Sequence, residues 1–174
     1  MTTFDFNDGN GPVPAHQHSN GGGWVAETAT VAKTAYVGPD AKVFGYAQVF
    51  GIAQVYGDAR VYGAARVYGY ARVYGNARVY GYAWAYNHAR VLGKAQVFEN
   101  AQVYDDAYVY GNAQVYGDAR VSNNAQVSGD AEVAGNAWVS GNARVFDTAE
   151  VGDDVKEDMF IEMNGKRYKL VEIE

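Results

Sequence analysis

The sequence predicts an all-β fold in which the chain winds into a solenoid of about seven triangular coils. Alanine recurs every six residues at 21 positions from Ala29 to Ala149, and valine follows two residues after each of them, with Ala85 as the single exception. Each hexad alternates small apolar, polar, Val and aromatic residues, which is the period-two pattern of a short strand. Glycine, often followed by Asn or Asp, then supplies a turn.

The repeat length decides between a helix, a hairpin ladder and a coil. A period of six fits neither the 3.6-residue period of a helix nor a heptad. Every strand also presents Ala and Val on the same side and runs in the same direction, so the chain has to coil. Three hexads close a triangular prism of 18 residues, in which equivalent positions stack about 4.8 Å apart along the axis.

The pattern resembles the hexapeptide-repeat left-handed parallel β-helix, whose motif is an aliphatic residue followed four positions later by a small one. Here the motif runs from Val31 with Ala35 to Val145 with Ala149, over three quarters of the chain. The resemblance implies the left-handed winding. The chain departs from the family at the residue after Val, which is Phe or Tyr at 12 of the 13 positions from Phe44 to Tyr116, with Leu92 as the thirteenth.

A second resemblance concerns the segments that precede the regular repeat. The segment from Phe4 to His16 and the stretches 20–25 and 36–41 resemble hexapeptide proteins of phages and prophages. This resemblance implies a non-enzymatic, phage-type protein located in the cytoplasm of a host cell or in the virion.

Three regions are expected along the chain. Residues 1–22 are polar and rich in Gly, Pro and Asn, which predicts an arm or a mobile tail. The solenoid is expected over 23–154. Residues 155–174 break the repeat, and Asn164-Gly165 between two alternating runs predicts a type I′ hairpin that caps the open end of the coil.

Composition excludes several classes of protein. The chain has no Cys, so disulfides and thiolate chemistry are excluded. It has no apolar run of about 18 residues and no charged-then-apolar leader, so we expect a cytoplasmic protein without a membrane partner. It also has no nucleophile elbow, zinc spacing or glycine-rich phosphate loop, so we expect no cofactor.

The charge is concentrated in the middle coils. Residues 41–95 carry a net charge of +6, whereas residues 1–40 carry −3 and residues 96–174 carry −9. The basic coils are also the aromatic ones, which favours a site for an anionic ligand with a flat ring, such as a nucleotide: Arg binds phosphate or carboxylate and the aromatic side chain stacks on the base. We expect the ligand at the interfaces between subunits, and the candidate ligand-binding residues are Arg60, Arg66, Arg72, Arg78, Trp84, Tyr86, His88 and Arg90. The alternative is that these arginines are solvated outer strand positions, and we expect no binding of duplex nucleic acid.

Three histidines need separate interpretation. His88 follows the break in the valine column and is either an ordinary corner residue, part of the ligand site, or, by resemblance to hexapeptide acyltransferases that use acyl-coenzyme A, a general base. The unbroken period argues against the enzyme, because those enzymes commonly carry an inserted loop. His16 and His18 are either part of a disordered tail or ligands of a metal on the axis of a trimer.

The aromatic residues at the corners predict self-association. Two of the three corners carry aromatic or aliphatic residues on both sides of the turn glycine, whereas the third is polar on its far side. This asymmetry and the family resemblance predict a parallel homotrimer with the aromatic stripes between subunits. A polymer-forming scaffold is the third alternative, and the C-terminal hairpin argues against it.

Overall fold

The computed structural model describes residues 2–152 and the backbone of two strands at 160–163 and 166–169. In chain order the strands are β1 (Thr3–Asp5), β2 (Pro12–Gln17), β3 (Trp24–Ala26), β4 (Thr30–Val31), β5 (Tyr36–Val37), β6 (Lys42–Val43), β7 (Gln48–Val49), β8 (Gln54–Gly57), β9 (Arg60–Val61), β10 (Arg66–Val67), β11 (Arg72–Gly75), β12 (Arg78–Val79), β13 (Trp84–Ala85), β14 (Arg90–Val91), β15 (Gln96–Val97), β16 (Gln102–Val103), β17 (Tyr108–Val109), β18 (Gln114–Val115), β19 (Arg120–Val121), β20 (Gln126–Val127), β21 (Glu132–Val133), β22 (Trp138–Val139), β23 (Arg144–Val145), β24 (Glu150–Val151), β25 (Phe160–Met163) and β26 (Lys166–Lys169).

The coil strands form three parallel sheets, which we call faces one, two and three. Face one contains β3 and every third strand to β24, face two runs from β4 to β22, and face three runs from β5 to β23. Paired residues lie 18 positions apart, as Arg78 with Gln96 and Val79 with Val97. The predicted all-β fold of about seven coils, with three hexads to a coil, is therefore confirmed.

The core is the inside of this prism, filled by the alanine and valine columns. Val79 is fully buried, as are Val61 and Val97, its partners in the coils before and after. Successive side chains of a strand point to opposite sides of the sheet, so the residue before each valine lies outside. Because three strands converge on one narrow axis, the smaller Ala and Val occupy the core in place of Leu and Ile.

The corners depend on left-handed backbone geometry. We name them by their three-residue turns: corner one includes 44–46, 62–64 and 80–82, corner two includes 50–52, 68–70, 86–88 and 104–106, and corner three includes 56–58, 74–76 and 92–94. The central residue of most turns is a glycine with positive φ, for example 70° at Gly63. Glu99 occupies the same position at a φ of 57°, where only Gly, Asn and Asp are common. Its carboxylate accepts the backbone N–H of Gly117 in the next coil at 2.8 Å, which compensates for the strained backbone.

The N-terminal residues form a hairpin where the sequence predicted an arm or mobile tail. β1 pairs with β2, and β2 pairs antiparallel with β3, so both strands extend face one. Phe6 is buried and stacks on Phe44, with ring centroids 4.8 Å apart, and Phe4 stacks on Trp24 at 4.4 Å. These apolar side chains, placed among polar residues, hold the hairpin on the solenoid.

At the other end, β25 and β26 pair antiparallel, with Met163 opposite Lys166. The predicted Asn164-Gly165 turn and residues 153–159 and 170–174 lie outside the described residues. The capping role of this hairpin and the left-handed winding stay predictions. Among the described residues, no helix is long and apolar enough to cross a membrane.

Candidate ligand-binding site

The structure separates the eight candidate residues into groups on all three faces. Residues on different faces of the prism point away from one another, so one chain does not bring all eight into a single site. Arg60 and Arg78 lie on face one, Arg66 and Trp84 on face two, and Arg72 and Arg90 on face three, while Tyr86 and His88 lie at corner two.

The group on face two combines a cation with an aromatic ring. Arg66 and Trp84 are in register on neighbouring strands, β10 and β13. The guanidinium carbon of Arg66 lies 5.0 Å from the centre of the Trp84 ring, within the range of a cation–π contact. Tyr68 and Tyr86 pack edge-on against the indole at 6.2 and 6.3 Å. Arg66 is exposed and Trp84 is half-buried, with the guanidinium lying over the indole ring.

The group on face three places two arginines one coil apart. Arg72 pairs in register with Arg90, so two like charges lie in neighbouring strands. The Arg90 guanidinium carbon lies 5.4 Å from the centre of the Tyr108 ring, and the Tyr74 and Tyr108 hydroxyl oxygens are 3.4 Å apart. Burial, assisted by this hydrogen bond, raises the pKa of Tyr74 to about 12. The hydrogen bond with Tyr74 lowers the pKa of Tyr108, and the nearby Arg90 lowers it further.

Arg60 on face one is occupied by the N-terminal hairpin. Its guanidinium donates a hydrogen bond to the Phe6 carbonyl oxygen, and its central carbon lies 5.1 Å from the centre of the Phe44 ring. The Arg60 side chain therefore ties the hairpin to the third coil. Arg78, one coil further along the same column, is exposed.

His88 lies in an open groove of about 540 Å³ along corner two. The groove is lined by Gly69, Tyr70, Asn87, His88, Asp105, Asp106, Asn123 and Asn124. The His88 ring stacks on Tyr70 with centroids 4.9 Å apart. Asp105 accepts a hydrogen bond from the Asn87 side chain at 2.9 Å. Two carboxylates in the lining make this groove unfavourable for an anion.

The two N-terminal histidines have separate partners in the structure. His16 Nδ1 lies 2.8 Å from a carboxylate oxygen of Glu27, within hydrogen-bond distance. His18 is buried, and its Nε2 lies 3.1 Å from the Ala35 carbonyl oxygen. No group of three or more His, Asp or Glu side chains that could hold a metal occurs in the described part of the chain. Metal binding by His16 and His18 on the axis of a trimer stays an untested alternative.

Comparison with known families gives one result. Residues 53–69, 71–87, 113–129 and 125–141 match the YdcK Beta solenoid repeat. The chain is a β-solenoid. The matched repeats include Arg66, Trp84 and Tyr86 of the face-two group. No curated protein and no solved structure matches the chain.

Sequence reasoning missed several residues that surround the candidate groups in the β-solenoid. Tyr68 packs edge-on against Trp84, as the candidate residue Tyr86 does, and Tyr108 lies under Arg90. The 18-residue spacing could have identified these residues, because Tyr68 lies one coil before Tyr86 and Tyr108 lies one coil after Arg90. Assigning each of them from the sequence would have required the side-chain directions on each face.

Exposed apolar side chains border face two. The large hydrophobic residues that are most exposed in the described chain are Tyr46, Phe50, Ile52, Tyr70, Tyr82 and Trp138. Tyr46 and Tyr82 precede strands of face two at corner one, where they are 72% and 68% exposed, and Phe50 follows a face-two strand at corner two. Other corner aromatics directly after Val stack on one another along the axis, as Tyr62 does on Tyr80 at 4.8 Å.

Proposed function

We propose that this β-solenoid is a non-enzymatic binding or structural protein that takes a small anionic, ring-bearing ligand of the nucleotide class at Arg66 and Trp84. The observation that carries the proposal is the cation–π pair itself. It holds a guanidinium and an indole 5.0 Å apart on an open face. The ligand's phosphate or carboxylate would bind Arg66, and its ring would stack on the Trp84 indole.

The electrostatics of face two support this choice. Among the described residues, no carboxylate oxygen lies within 4 Å of the Arg66 guanidinium. An anionic ligand would therefore supply a counter-charge that the described residues do not place beside Arg66. The other groups fit the ligand less well: Arg60 holds the N-terminal hairpin, and the groove at His88 is acidic.

The proposal includes a parallel homotrimer. Tyr46, Tyr82, Phe50 and Ile52 are exposed at the two borders of face two, and such aromatic and aliphatic side chains are enriched at the centres of protein interfaces. Contacts between subunits along these borders would leave the ligand in the groove between them.

We also propose that the chain is a hexapeptide-repeat protein of phage or prophage type, located in the cytoplasm of the host cell or in the virion. Its support is the resemblance of the opening segment, Phe4 to His16, and of residues 20–25 to phage hexapeptide proteins. A rigid rod with a hairpin covering one end of face one suits either a soluble binding protein or a part of a particle.

Isothermal titration calorimetry tests the binding site. The wild-type protein is titrated with nucleotides, cyclic nucleotides, nucleotide sugars and acyl-coenzyme A, and the ligand found is then titrated into Arg66→Gln and Trp84→Ala. Each variant should weaken binding by roughly 5- to 150-fold, since a phosphate contact or a stacked base contributes about 1–3 kcal/mol.

Arg78→Gln is the matched control, because it removes the same charge from face one without touching the pair. Its affinity should equal that of the wild type. Absence of heat with every ligand class, or equal weakening by Arg78→Gln and Arg66→Gln, would overturn the proposed site.

A further inference from the structure

Face two carries a second arginine–tryptophan pair along the same column. Arg120 on β19 and Trp138 on β22 are in register on neighbouring strands, as Arg66 and Trp84 are. Gln102 lies between the two pairs. The equivalent residues of the pairs are 54 positions, or three coils, apart, which places them about 14 Å apart along the rod.

The second pair is at least as accessible as the first. Arg120 is exposed, and Trp138 is 56% exposed. The Trp138 indole N–H donates a hydrogen bond to the Ser122 hydroxyl at 3.1 Å, which fixes the orientation of the ring. β22 is the last strand of face two in the described chain, so no strand of a following coil adjoins it on that side.

The outward column of face two has no negative charge. It reads Thr30, Gln48, Arg66, Trp84, Gln102, Arg120 and Trp138 in order of the coils. Face one, by contrast, ends in Glu132 and Glu150. Face two is therefore a straight strip on which cation and flat ring alternate with amides.

We infer that face two binds a single-stranded nucleic acid along the rod axis. Phosphates would bind Arg66 and Arg120, and bases would stack on Trp84 and Trp138. This inference rests on the proposed function and extends its ligand from a single nucleotide to an oligonucleotide that spans both pairs. A single strand is required because its bases are free to stack on a protein ring, whereas those of a duplex are already stacked on each other.

Binding measured against oligonucleotide length tests the inference. Thymidine monophosphate and an eight-nucleotide oligothymidylate are titrated into the wild-type protein by calorimetry. The oligonucleotide should bind at least tenfold more tightly than the monophosphate. Trp138→Ala and Arg120→Gln should remove this gain, while the monophosphate should still bind at Arg66 and Trp84.

Arg144→Gln is the control for Arg120→Gln, because Arg144 is an exposed arginine on face three. It should leave both affinities unchanged. The slope of log K against log salt for the oligonucleotide should fall by about 0.7 in Arg120→Gln, as expected for one lost phosphate contact with a single strand.

The outcomes separate this inference from the proposed function. Equal affinity for the monophosphate and the oligonucleotide, with binding still dependent on Arg66 and Trp84, would overturn the inference and leave the proposed function standing. Absence of binding by either would overturn both. A sulfated glycan that binds as tightly as the oligonucleotide, with an affinity that Trp138→Ala does not change, would overturn the inference in favour of a general polyanion-binding surface.

Discussion

Val79→Asp tests the prism interior. Val79 is fully buried between Val61 and Val97 of the adjacent coils. Losing its burial costs about 1.5–3 kcal/mol, and an unpaired carboxylate in the same place costs several kcal/mol more. The sum is comparable to the whole stability of a small domain, about 5–15 kcal/mol. The variant should therefore lose the coils around β12, which is measured as lost β-sheet circular dichroism and a large fall in the unfolding temperature.

Arg78→Asp is the matched control, because it introduces the same carboxylate one residue earlier on the exposed side of the strand. It should unfold close to the wild-type temperature. Val79→Ala should fall between the two, at a cost of about 1–3 kcal/mol. Equal stability of Val79→Asp and Arg78→Asp would refute the alternation of inward and outward side chains, and with it the assignment of the core.

Further measurements test the tyrosines, the assembly and the absence of catalysis. Burial raises the pKa values of Tyr74 and Tyr86 to about 12. The two neutral phenols therefore contribute their full stabilisation below about pH 10, and this stabilisation is lost as the pH rises from 10 to 12. Urea unfolding that shows no loss of stability between pH 10 and 12 would contradict the burial of these rings. Sedimentation should give about three times the chain mass of 18.9 kDa, and Ile52→Asp or Tyr82→Asp should shift it toward the monomer; a wild-type monomer at micromolar concentration would reject the trimer. Acyl-coenzyme A should release no thiol with the wild type, and turnover that His88→Ala abolishes would establish the acyltransferase alternative instead.

The fold was predictable from the sequence because the repeat is nearly perfect. The six-residue spacing of Ala and Val determines the strand direction, the inward face and the coil length together. Each later hexad has the same spacing and therefore predicts the same structure. The N-terminal hairpin was not predictable in this way. Phe4 and Phe6 lie in a polar segment, and their positions depend on stacking with Trp24 and Phe44, which the sequence pattern does not predict.

The candidate site was predicted in its residue types but not in its grouping. Columns 18 residues apart correctly placed Arg60 with Arg78 and Arg72 with Arg90. The candidate residues Arg72 and Trp84 belong to strands of different faces, so they do not form one site within a single chain. Consecutive hexads are close in sequence, but in a triangular coil they lie on different faces and their outward side chains point in different directions.

The measurement that tests the central claim most directly is a crystal structure of the protein with a bound nucleotide. We predict that the phosphate lies against the Arg66 guanidinium and the base against the Trp84 ring, on face two. Density for the nucleotide in the groove at His88, on face three beside Arg72 and Arg90, or nowhere at saturating concentration would contradict the account.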